Sequence, residues 1–216
     1  MSNSMLCLLL VLSTGCAPMK QSDSDPQGAS SRADQLAVKL ATCNVGAMAT
    51  GLAADPQVKA VSTEYPDSAP YVTLVEDSHR PERVRFAAAL VLKSRAEKAE
   101  PKATAQVFAA ALQQDLAGYA YPWGRLWADG DPLGPLGATL VELGRPAVPA
   151  LIALLDDATP RDSYLGSEEA TDMAMRRYRV KDFAAFYLAR ITGVDLPWQR
   201  ELPKRDEAIA SLRTKL

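Results

Sequence analysis

Between Gly144 and Asp157 the chain reads GRPAVPALIALLDD, two prolines followed by a dense apolar run and two aspartates. Wound as a helix, this stretch spreads its apolar residues over a wider arc than a lone surface helix needs. It must therefore be covered on two sides. Further along, Val180, Ala184, Tyr187, Leu188 and Ile191 fall on one helical face at spacings of i, i+4, i+7, i+8 and i+11. Read in this way, the pattern predicts helices over 33–54, 66–76, 81–96, 101–117, 133–143, 146–156, 176–192 and 203–215. No stretch alternates apolar and polar residues as a half-buried strand does. The expected fold class is all-α.

Two parts of the pattern repeat. YVTLVED (71–77) with VRFAAALVL (84–92) can be laid over LIALLDD (151–157) with VKDFAAFYL (180–188). Leu74 and Val75 then match Leu154 and Leu155, and both first runs close on two acids. In the second runs Val84 matches Val180, Ala88 and Ala89 match Ala184 and Ala185, Leu92 matches Leu188, and Arg85 matches Lys181. Paired alanines keep a helix surface low, so a neighbouring helix can approach closely. Pro81 is a start signal for one copy and Gly193 a stop signal for the other.

Hairpins of this kind resemble HEAT repeats, specifically the short bacterial type. In one helix the resemblance rests on Ala147, Val148, Pro149, Leu151, Ile152, Leu154 and Leu155. In the other it rests on Val180, Ala184, Ala185, Leu188 and Gly193. It extends over 66–195 and is weaker toward the ends. The resemblance implies a short, irregular α-solenoid of HEAT-like helical hairpins over 34–216. Each helix of such an array faces its hairpin mate and the adjoining repeats, which accounts for the wide apolar arc of 144–157. Pro146 and Pro149 then sit in the first turn, where a missing N–H is harmless. The charged closing segment KRDEAIASLRTKL would cap the open end of the array.

The amino terminus reads differently. Its apolar run Met5–Leu12 is far short of the roughly 20 residues that span a bilayer, but it fits the core of a signal peptide over 1–15. The following LSTGC resembles a bacterial lipoprotein signal. That resemblance implies cleavage after Gly15, lipidation of Cys16, and a membrane-anchored protein of the cell envelope facing the periplasm or the exterior. An ordinary secretory leader and a cytoplasmic chain with an apolar end are the competing readings. Residues 16–33 are rich in Ser, Asp, Pro and Gly, a composition expected of a flexible tether.

Composition narrows the chemistry. With 24 basic and 26 acidic residues and a net charge of −2, the chain lacks the basic surplus of a nucleic-acid binder. Cys7, Cys16, Cys43 and the single histidine His79 form no zinc-type spacing. His79 reads as a solvated loop residue and Cys43 as a small buried hydrophobe. No GxSxG, HExxH, Walker or Rossmann pattern is present, so neither an enzyme nor a metal or other cofactor is expected.

Two stretches break the hairpin rhythm, 118–134 with its aromatics and 158–177 with its acids. Insertions in repeat arrays form loops on one face, often the binding face. Trp123, Trp127, Tyr164 and Arg177 are the candidate contacts to a partner, expected to be another envelope protein. The competing reading packs Trp123 and Trp127 over a gap in the helical stacking. The expected function is a non-enzymatic scaffold or adaptor for protein–protein interaction. An immunity-type inhibitor of an envelope toxin is one alternative. A hydrolase of an envelope polymer, using carboxylates such as Glu168 and Asp172, is the other.

Overall fold

The structure, a computed structural model, describes residues 26–118, 120–128, 132–161, 171 and 175–216, with side chains from Arg32 onward. Cys16, Tyr164, Glu168 and Asp172 lie outside the described residues. Ten α-helices account for most of the described chain, and no strand occurs among these residues. The helices are α1 (Pro26–Ala41), α2 (Val45–Gly51), α3 (Pro56–Glu64), α4 (Ala69–Glu76) and α5 (Glu82–Ser94). They continue as α6 (Pro101–Gln113), α7 (Pro135–Leu143), α8 (Val148–Ile152), α9 (Val180–Thr192) and α10 (Leu202–Arg213). The all-α expectation holds.

Local chemistry sets the boundaries. The expected helix over 33–54 is two helices, with Arg32–Ala41 and Val45–Ala54 meeting at 93°. Asn44 makes the corner: its side chain accepts the Ala47 N–H at 3.2 Å while its own N–H donates to Gln57 Oε1 at 2.8 Å. Helix α3 was not expected from the pattern, yet it carries its own start signal. Asp55 Oδ1 accepts the Gln57 and Val58 N–H groups, and Pro56 occupies the first turn. The stretch 16–33, expected as a tether, is helical from Pro26.

Helix α5 is the centre of the amino-terminal half. Every residue from Val84 to Leu92 is buried, because α1, α2, α3, α4 and α6 all pack on it. Such a helix can be apolar all round. The exception is Arg85, whose aliphatic stem is buried while Nε and Nη2 donate to the Val75 carbonyl at 3.1 and 2.9 Å. Guanidinium groups close helix ends elsewhere too. Arg83 donates to the Cys43 carbonyl just past α1 at 2.8 Å, and Arg161 Nε donates to the Leu112 carbonyl of α6 at 2.9 Å. Each places a cation at the negative end of a helix dipole and satisfies carbonyls that lack an intrahelical donor.

In each matched pair a helix of the first run packs on the helix of the second, α4 against α5 and α8 against α9, but of the run 151–157 only Leu151 and Ile152 are helical and 153–156 form turns. The copies differ in regularity. Helix α8 is only Val148–Ile152, preceded by the 3-10 turn Arg145–Ala147, with Pro149 in its first turn as expected. Helix α9 also packs on α7 and on α10. Among the described residues, no single helix is long and apolar enough to cross a membrane.

Candidate interaction surface

The aromatic stretch 118–134 divides into an inner and an outer part. Trp123 is fully enclosed, its ring stacked on Phe86 of α5 at 6.4 Å, and the Tyr187 hydroxyl donates to its carbonyl. Close backbone approach makes this possible. A side chain on Gly137 would stand 2.6 Å from both the Trp123 carbonyl and the Tyr187 hydroxyl. One on Gly124 would stand 2.2 Å from the Pro132 carbonyl, so the neck of the loop closes on glycine. The expectation of Trp123 as a partner contact is therefore corrected. With no exposed surface it is core, and it fills the space between α5, α7 and α9.

Trp127 lies in the outer part, half-buried, with Nε1 donating to the Leu196 carbonyl at 2.8 Å. Its ring meets Phe186 edge-on at 5.1 Å and Trp198 at 5.1 Å, and Tyr178 adds an edge-to-face contact to Trp198 at 5.9 Å. Arginines flank this cluster. Arg205 lies 4.3 Å and Arg176 5.3 Å from the Trp198 ring, and Arg190 lies 5.1 Å from that of Phe186. Arg177 is exposed beside them in the chain. Both Trp127 (φ 56°) and Arg177 (φ 53°) hold left-handed backbone, which costs a non-glycine residue about 1–2 kcal/mol. The structure thus gathers Trp127, Tyr178 and Trp198, flanked by Arg176 and Arg190, and separates them from Trp123.

Beneath the cluster lies a buried ion network. Asp182, fully enclosed, accepts from Arg179 through the backbone N–H, Nε and Nη2, and from Arg205 Nη1 at 2.9 Å. Arg179 and Lys181 reach Asp206 of α10, each at 2.8 Å. Burial disfavours the Arg179 charge, but its bonds to Asp182 and Asp206 outweigh this and hold its pKa above the ordinary value. At Asp206 burial acts to raise the carboxyl pKa, and hydrogen bonds from Arg179 and Lys181 more than reverse it. Sequence reasoning missed Asp182, Trp198 and Arg205. Arg205 sits in a segment whose charges read as solvated, and nothing local distinguishes it from Arg213.

The other singled-out residues have ordinary settings. Asp156 pairs with Arg213 at 2.9 Å, and Asp157 accepts from Gln113 and from the Thr159 N–H. His79 is an exposed turn residue beside Asp77. Cys43 is buried, which pushes its thiol pKa up. Among the described residues, no group of three or more His, Cys, Asp or Glu side chains could hold a metal ion. No family model, curated protein or solved structure matches the chain.

Proposed function

We propose that this protein is a non-enzymatic scaffold or adaptor, anchored in the cell envelope through lipid on Cys16, whose body is a short, irregular HEAT-like solenoid. The observation that carries the reading is that both copies of the repeated sequence pattern pack a helix on a later one, α4 on α5 and α8 on α9, with the second-helix registers Val84–Leu92 and Val180–Leu188 both helical. Units that share apolar flanks in this way build an extended surface suited to docking. The outer aromatic cluster supports the same reading. Half-buried Trp127 and Trp198, bordered by Arg176 and Arg190, and the exposed Arg177 next to Arg176 in the chain, have the residue types favoured as anchors in interfaces. The partner is another protein of the envelope.

The anchor is tested by fractionating cells that express the full chain or Cys16→Ala. The full chain should stay with membranes through a carbonate wash and Cys16→Ala should be released, because acyl chains provide the membrane affinity. A Cys16→Ala protein that remained with the membranes would remove the anchor from the account.

A further inference from the structure

A cleft of about 470 Å³ opens between the carboxyl-terminal ends of α4 and α5, the connector 95–100, α6 and α7. That volume falls within the roughly 300–1,000 Å³ of small-molecule sites. Its floor is apolar, formed by Val75, Leu92, Phe108 and Leu143. Two threonines also line it, but their hydroxyl protons are already committed. Thr104 donates to the carbonyl of Glu100, the N-cap of α6, at 3.0 Å and Thr139 to the Pro135 carbonyl within α7 at 2.9 Å.

The side-chain donors left at the rim are the ammonium groups of Lys93 and Lys98. Neither makes an ion pair among the described residues, and two acids share the rim with them. Glu97 is matched by Arg95 at 2.9 Å, and Glu142 is exposed, so two lysines against one unmatched carboxylate leave one positive charge in excess. A long apolar floor with cationic donors only at its edge fits a molecule with an apolar tail and a single anionic head.

We propose that this cleft binds a medium-chain fatty acid, its tail on Val75, Leu92, Phe108 and Leu143 and its carboxylate at Lys93 and Lys98. This inference is independent of the anchor and of the docking surface. The test is calorimetric titration of the full-length chain with octanoate, decanoate and dodecanoate, each below its micelle concentration. One saturable site is expected, with affinity rising about fourfold per methylene, as burial of a CH₂ group implies. Lys93→Gln/Lys98→Gln should weaken decanoate about a hundredfold, roughly one factor of ten for each of the two lost charge-assisted bonds, while leaving 1-decanol little changed. Ala99→Trp, which places a ring in the cleft from the connector, should abolish binding of both. No saturable binding, an affinity flat along the chain-length series, or wild-type binding by either variant with a native circular dichroism spectrum would overturn the proposal.

Discussion

Arg205 Nη1 donates to Asp182 Oδ2 at 2.9 Å across 23 residues of sequence, and both side chains are sealed from solvent. This contact fastens α10 to α9. Arg205 also donates to the carbonyls of Gln199 and Arg176, so one guanidinium ties three chain segments together. Removing one partner of a buried pair leaves the other uncompensated, at about 3–5 kcal/mol. Arg205→Ala is expected near the lower end, since Arg179 still serves Asp182. Urea unfolding should show the loss, and Arg205→Lys should recover little of it because an ammonium cannot reach all three acceptors.

Acid should loosen the same end of the molecule. Asp206 has a carboxyl pKa below its ordinary value when folded, because Arg179 and Lys181 favour its charge. Its contribution is therefore present above the unfolded pKa and is lost as pH falls through the lower folded one. Thermal melts between pH 7 and pH 2 should show Asp206→Asn less stable at neutrality and less sensitive to acid than the wild type. The effect will be modest, since the Asp206 side chain is 42% exposed and its pairs are partly screened.

Gly137 is required by space rather than by backbone angle. An alanine methyl there would meet the Trp123 carbonyl and the Tyr187 hydroxyl at 2.6 Å, so the contact of α7 with α9 must shift. Gly137→Ala should destabilise by about 1–3 kcal/mol, the usual range for overpacking. Trp123→Ala should cost about 3–5 kcal/mol as a core truncation. A melting temperature for Gly137→Ala equal to that of the wild type would contradict this packing.

One substitution should stabilise. Ala96 ends α5 with φ 56°, in a Schellman arrangement where the Glu97 N–H donates to the Leu92 carbonyl and the Ala96 N–H to that of Lys93. Glycine adopts this angle without the penalty of a β-carbon. Ala96→Gly should raise stability by about 0.5–1 kcal/mol, measured by denaturant midpoint.

Helices with strong periodicity were legible in the sequence. Glu82–Ser94, Pro101–Gln113, Pro135–Leu143 and Leu202–Arg213 lie within a few residues of their expected spans. The break at Asn44 was hidden because apolar periodicity runs through it, and the bend depends on Gln57, thirteen residues away. Helix α3 was legible in principle from Asp55-Pro56, but its two buried residues, Val58 and Val61, make only a weak apolar stripe. The site was less accessible than the fold. Trp123 and Trp127 are four residues apart in one aromatic-rich stretch of sequence, yet one is core and the other borders the surface. What separates them is a loop neck closed by Gly124 and Gly134, a contact that no periodicity encodes. The buried role of Asp182 and Arg205 likewise arises only when α9 and α10 meet.

The docking claim is tested most directly by proximity labelling from the full-length protein in its native cell, comparing wild type with Arg177→Glu/Arg190→Glu. Both arginines are exposed, so the variant should fold normally while reversing the charge over Phe186 and at the residue between Arg176 and Tyr178. A reproducible envelope protein is expected among the labelled neighbours of the wild type, and its loss from those of the variant. Identical neighbours for both proteins, at equal abundance and localisation, would contradict it.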